Sequence, residues 1–128
     1  MLVADDTESI RALFQKLLTN EGHHVVSVED GMAALDAVRR HRPDVVLLDV
    51  GMPGVDGIEV CRQLKSDPLT RLTPVVLVTG LSDLSDRIRG IEAGADDFLP
   101  KPLNRKRLVA RVRALVAPGA RQPLRAVE

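Results

Sequence analysis

A handful of side chains in this 128-residue sequence stand where short apolar runs give out, and their types suit them to one chemistry. Asp5 and Asp6 follow Leu2-Val3-Ala4. Asp49 follows Val45-Val46-Leu47-Leu48. Thr79 follows Val75-Val76-Leu77-Val78, and Lys101 comes shortly after Phe98-Leu99. Gathered in one place, they are three carboxylates, a hydroxyl and an ammonium. Three carboxylates close together repel unless cations offset them. Lys101 offsets one charge, and a divalent cation answers the rest. An all-oxygen donor set, with no His or Cys cluster, selects Mg2+ or Mn2+ over zinc. A cation, a lysine and a hydroxyl around one point stabilise a phosphoryl group in transfer. A carboxylate can itself be the nucleophile, giving an acyl phosphate. Gly51 and Gly80 leave room beside Asp49 and Thr79 for a tetrahedral group.

The elements that must carry these residues alternate along the chain. The apolar run 45–48 is short and bounded by turn residues, which reads as a strand buried on both faces. Similar runs predict strands over 2–4, 24–28, 44–48, 74–79 and 96–99. The first is clipped, so either it is short or the natural start lies upstream. Ile10, Leu13, Phe14, Leu17 and Leu18 recur at helical spacing and predict a helix over 7–21, with Asp6 or Thr7 as N-cap and Gly22 as its stop. Further helices are expected over 30–41, 57–65, 82–93 (Ser82 as N-cap, Gly94 as stop) and from 103 or 104 to 116. Pro118-Gly119 breaks the last, and 118–128 read as a tail or linker. Five strands alternating with five helices mean a doubly wound α/β fold with a parallel sheet and right-handed crossovers. In such sheets ligands bind at the carboxyl ends of the strands, which is where these side chains sit.

Taken together and in order, the motifs resemble the receiver domain of two-component response regulators over about residues 1–117. The resemblance rests on Asp5-Asp6, Asp49 with Met52-Pro53 and Asp56-Gly57, Thr79-Gly80, the run Gly94-Ala95-Asp96-Asp97-Phe98, and Lys101-Pro102. It implies a flavodoxin-like sheet ordered 2-1-3-4-5. It implies that Asp49 accepts a phosphoryl group from a histidine kinase or histidine phosphotransfer protein. Asp5, Asp6, Asp49 and the Gly51 carbonyl would hold Mg2+, Lys101 would bind the phosphoryl group, and Thr79 would hydrogen-bond it. Phe98 would turn inward as Thr79 moves, and the Lys101-Pro102 bond would be cis. The output would be a changed surface on helix four, strand five and helix five, read by an effector domain or target protein.

That surface has its own pattern. Receivers of winged-helix transcription factors dimerise through it with charge pairs. Asp97 and Arg111 match one such pair. Arg87 also matches, but the position of its acidic partner is Arg107, and two facing cations oppose that dimer. Asn104-Arg105, Leu108 and Ala110-Arg111-Val112-Arg113 are closer to receivers joined to cyclic-di-GMP enzymes. A monomer or a phosphorylation-dependent dimer is expected. Arg105, Lys106, Arg107, Arg111 and Arg113 otherwise read as a solvated helix face, its cations favoured by the C-terminal dipole.

Composition narrows the alternatives. Lys+Arg and Asp+Glu are both 18, so no bulk basicity points to nucleic acid or an anionic membrane. Aromatic residues are 2%, too few to build base-stacking platforms. The lone Cys61 cannot form an internal disulfide and reads as core, which suits a reducing compartment. Asp5 and Asp6 come too early for a signal peptide, and no apolar run spans a membrane, so a cytoplasmic protein is expected. His23, His24 and His41 are scattered without ligand spacing. Two other readings stay open. One is a phosphatase-type or flavin enzyme of the same fold class. A phosphatase with an aspartate nucleophile wants a second acid two residues on, where Gly51 stands, and a phosphate-binding glycine loop is absent. The other is an interaction module that works without phosphorylation. The expected protein is no enzyme beyond handling its own phosphoryl group.

Overall fold

The computed structural model describes residues 1–80 and 84–116, and these form one sheet between two helical layers. The elements are β1 (Leu2–Ala4), α1 (Glu8–Asn20), β2 (Val26–Val28), α2 (Gly31–His41), β3 (Val46–Asp49), α3 (Gly57–Ser66), β4 (Val75–Gly80), α4 (Leu84–Ala93), β5 (Asp97–Lys101) and α5 (Arg105–Val116). All strand pairs are parallel and the order is β2-β1-β3-β4-β5. The expected Ser82 cap and the 118–128 tail lie outside the described residues.

Two apolar layers follow from the period of two along each strand. Leu2, Ala4, Val46, Leu48, Val75 and Leu77 face α2 and α3 and the Ala93 end of α4. Val3, Val45, Leu47, Val76, Val78 and Leu99 face Phe14 and Leu18 of α1 and Leu108 and Val112 of α5. The strands are apolar on consecutive positions because both faces are covered. Phe14 and Leu18 are 1% and 0% exposed, and burial of such side chains stabilises by about 1.5–3 kcal/mol each.

The helix ends follow local chemistry. Asp30 and Asp56 cap α2 and α3, accepting the backbone N–H groups of Ala33 and Glu59, each at 2.8 Å. Gly22 and Gly94 take φ of +89° and +95°. There α1 and α4 close with paired bonds from His23 N–H to the Leu18 carbonyl and from Ala95 N–H to the Gly90 carbonyl. Thr7 occupies the N-cap of α1, but its side chain makes no capping bond.

Several strand boundaries differ from the expected ones by one or two residues. His24 and Val25 precede β2, whose pairing with β1 begins at Val26 opposite Leu2. β5 starts a residue later than expected and continues to Lys101, because Pro100 and Lys101 stay in register with Thr79 and Gly80 on β4. Asp96 is therefore not in the strand. Its carboxylate instead accepts the Val75 N–H and the Lys65 ammonium, at 2.8 and 2.7 Å. Lys65 also donates to the carbonyls of Arg71 and Thr73, binding α3 to the loop that feeds β4.

Candidate functional site

The exits of β1, β3, β4 and β5 bring the sequence-predicted residues to one edge. Asp5 leaves β1, Asp49 ends β3, Thr79 is the penultimate residue of β4 and Lys101 ends β5. Ligand oxygens of Asp5, Asp6 and Asp49 lie within 4.8 Å of one another. Asp5 and Asp49 are buried and Asp6 is exposed. The Lys101 ammonium donates to Asp49 Oδ1 at 2.8 Å. The Gly51 N–H reaches the same oxygen at 3.4 Å. A Cβ added at Gly51 or Gly80 would meet nothing within 4 Å, so the space beside Asp49 and Thr79 is open.

Two buried polar atoms in this cluster have no partner, Asp5 Oδ2 and Thr79 Oγ1. Buried polar atoms are almost always satisfied, so two orphans at one edge of the sheet mark places made for something else. A hard cation with oxygen ligands fits the first, and a phosphoryl oxygen fits the second. The donor set of Asp5, Asp6 and Asp49 therefore fits Mg2+.

The charges confirm the tension. Burial raises the Asp5 carboxyl above its ordinary range, and Asp49 adds to the rise, against the Thr7 N–H bond that lowers it. Burial alone would lower the Lys101 ammonium, but its hydrogen bond and charge pairing with Asp49, and the charges of Asp5 and Asp6, carry it upward. Lys101 thus stays a cation.

The site is wired to α4. Asp56, which follows the Asp49 loop, pairs with Arg89 of α4 at 3.5 Å. Thr79 lies two residues past Leu77, on the sheet face that meets α4. Phe98, opposite Leu77 in the β4–β5 register, packs partly buried on the same side. Its ring is so close to α4 that a Cβ on Gly90 would come within 2.7 Å of it. Arg87 lies over the ring from outside, 5.3 Å from its centre. Asp97 and Arg111, expected as one of the charge pairs of a dimer, pair with each other within the one chain. Leu84, Ile88 and Ile91 line the exposed side of α4. The Lys101–Pro102 bond is cis.

Two sequence expectations need correction or addition. The cations of α5 do not lean on the C-terminal dipole: Arg105, Lys106 and Arg107 open the helix, and of the five only Arg113 stands in its last turn. Arg11 of α1 escaped notice. Its guanidinium donates to the Asp5 carbonyl at 2.7 Å, and nothing in residue type or spacing signals a bond to a main-chain oxygen. Cys61 is core, as expected, with burial pushing its thiol up to about 11.

A parallel 2-1-3-4-5 sheet with an acid cluster and a lysine at its carboxyl edge defines a phosphoacceptor class of signalling domain. The chain belongs to the response regulator receiver domain family, whose pattern it matches over residues 1–113. It is 51% identical over 115 residues to Response regulator PleD of Caulobacter vibrioides, covering 90% of this chain but 25% of that protein. This chain thus spans about a quarter of that relative's length. A putative response regulator from Chloroflexus aurantiacus superposes with a TM-score of 0.87 at 34% identity, over 91% of this chain and 95% of that one. The receiver domain of sensor histidine kinase PA1611 from Pseudomonas aeruginosa gives 0.81 at 28% identity, over 88% and 92%, and has a magnesium ion coordinated in its active-site cleft. No helix among the described residues is long and apolar enough to cross a membrane.

Proposed function

We propose that Asp49 is the phosphoacceptor of a two-component switch, and that residues 1–117 are its receiver unit, with 118–128 a tail or linker. The observation that carries this reading is the pairing of Asp49 with Lys101 at 2.8 Å beside two further carboxylates. An Asp49 oxygen attacks the phosphorus of a phosphohistidine on a histidine kinase or phosphotransfer protein. The N–P bond breaks, the imidazole leaves, and an acyl phosphate forms. Lys101 passes from Asp49 to a phosphoryl oxygen, and the orphaned Thr79 hydroxyl gains the acceptor it lacks. Asp5, Asp6 and Asp49, with the Gly51 carbonyl, would hold Mg2+ (or Mn2+), which when bound neutralises charge on the phosphoryl oxygens. Water later hydrolyses the acyl phosphate and restores the carboxylate, so the domain turns over only its own phosphoryl group.

The output follows from the geometry around Thr79. Two states pre-exist and phosphorylation biases them. A Thr79 drawn toward the phosphoryl group opens space on the face that Phe98 and α4 share, and the α4–β5–α5 surface changes. That surface offers an apolar stripe (Leu84, Ile88, Ile91) to an effector domain or target protein, as a monomer or as a phosphorylation-dependent dimer. Neither nucleic acid nor a membrane is a direct partner in this reading, and the buried, unpaired Cys61 fits a cytoplasmic setting. The test is acetyl phosphate with Mg2+. The wild-type chain gains one phosphoryl group per molecule, and Asp49→Asn gains none. Full labelling of that variant at another residue would sink the assignment.

A further inference from the structure

Asp5 is held at every polar atom but one. Its N–H donates to the Val28 carbonyl at 3.2 Å. Its carbonyl accepts from Arg11 Nη1 at 2.7 Å. Its Oδ1 accepts the Thr7 N–H at 2.8 Å. Oδ2 alone has no partner, on a residue 1% exposed. Three restraints of this kind leave the carboxylate one free oxygen, and it belongs to the cluster with Asp6 and Asp49.

Two of those restraints are made by backbone and come with the fold. The third is a side chain that reaches back from α1, where the Arg11 N–H continues the helix onto the Thr7 carbonyl at 3.0 Å. Arg11 makes no ion pair among the described residues. A guanidinium beside an acid cluster would ordinarily fork onto a carboxylate. This one is spent on a neutral carbonyl, at the hinge between β1 and α1.

We infer that Arg11 is a positioning residue for divalent-cation binding. By fixing the Asp5 carbonyl it locks the β1–α1 turn, so that Oδ2 stays aimed into the acid cluster instead of swinging to a backbone donor. The inference rests on the proposed reading of that cluster as a Mg2+ site. Partners behind a metal ligand orient it in this manner, and their loss typically weakens metal binding.

The sign of the effect separates positioning from plain electrostatics. A guanidinium near a cation site repels the cation, so removing it would tighten binding if charge were all that mattered. Positioning demands the opposite. The experiment is a calorimetric Mg2+ titration of the full chain as wild type, Arg11→Ala and Arg11→Gln, with melting in EDTA and acetyl phosphate labelling alongside. Arg11→Ala should bind Mg2+ about tenfold more weakly. The Mg2+ concentration that half-saturates labelling should rise by the same factor, while the rate at saturating Mg2+ stays near wild type. Arg11→Gln is neutral and too short to reach the carbonyl, and gives the same reading should the alanine variant not fold. Unchanged or tighter Mg2+ binding overturns the inference, even if the EDTA melting temperature falls, since that result leaves Arg11 a stabiliser only. A wild-type chain that does not bind Mg2+ would instead refute the proposed function itself.

Discussion

Replacing Asp5 with asparagine should abolish the site and strengthen the metal-free fold. Asp5 is buried, its Oδ2 has no partner, and ligand oxygens of Asp6 and Asp49 lie within 4.8 Å. At that separation two carboxylates repel by about 3–4 kcal/mol at an effective dielectric near 20. Lys101 offsets part of this, and the unpartnered oxygen adds a desolvation cost of about 1–3 kcal/mol. Asparagine keeps the oxygen that accepts from Thr7 and turns the orphan acceptor into a donor facing two acids. We expect Asp5→Asn to be more stable in EDTA by about 1–3 kcal/mol, roughly 4–12 °C in Tm for a domain of this size. Mg2+ should reverse the order. Wild type gains about 2.7 kcal/mol at a hundredfold excess over Kd, and the variant gains almost nothing. The pH dependence has a definite sign. The Asp5 carboxyl titrates above its ordinary 3.8 in the folded protein, so the native state holds its proton more tightly than the unfolded chain. The wild-type penalty is present above the raised value, shrinks as pH falls through it, and is gone below 3.8. Differential scanning calorimetry across pH, with EDTA and with Mg2+, reads all of this. An asparagine variant that melts below wild type in EDTA would refute the reasoning.

Three further substitutions test other parts of the structure. Gly57→Ala places a Cβ 2.3 Å from the Asp49 carbonyl oxygen. It should cost about 1–3 kcal/mol by urea unfolding and slow acetyl phosphate labelling, because the atom that must move belongs to the backbone of Asp49, the proposed phosphoacceptor. Thr79→Val exchanges an unpartnered buried hydroxyl for a methyl. Stability should hold or rise by up to about 1 kcal/mol, while the shift of the Phe98 ring resonances on phosphorylation is lost; an unchanged shift would remove Thr79 from the switch. Arg105→Glu replaces a first-turn cation of α5 with the charge that the helix N-terminus favours. It should raise stability by about 0.3–1 kcal/mol at low salt, fading at high salt.

Asp49 was legible because parallel strands buried on both faces are written as unbroken apolar runs. Asp49 stands out at the end of one as a charge has no other place there. Asp5, Thr79 and Lys101 were legible for the same reason, and the fold class followed from the alternation. What stayed hidden depends on contacts that residue type does not encode. Pro100 looked like the end of a strand, yet β5 is an edge strand whose pairing with β4 carries on through it. Asp96 looked like the first residue of that strand, but its carboxylate serves Lys65 and the Val75 N–H across 31 and 21 residues. Arg87 read as a cation for a partner chain, and it lies over Phe98 of its own. Arg11 binds a carbonyl, and a carbonyl has no letter in the sequence.

The order in which the strands enter the sheet has a consequence for the newborn chain. The acids arrive first, on β1 and β3, which are neighbours at the centre of the sheet. Their ammonium arrives on β5, the outermost strand and the last made, 52 residues after Asp49. A chain emerging from the ribosome therefore carries all three acids before the lysine that offsets them has been made. Lys101 can reach Asp49 only once β5 has been made and has paired with β4. A half-made copy has the acids but lacks the lysine that pairs with Asp49.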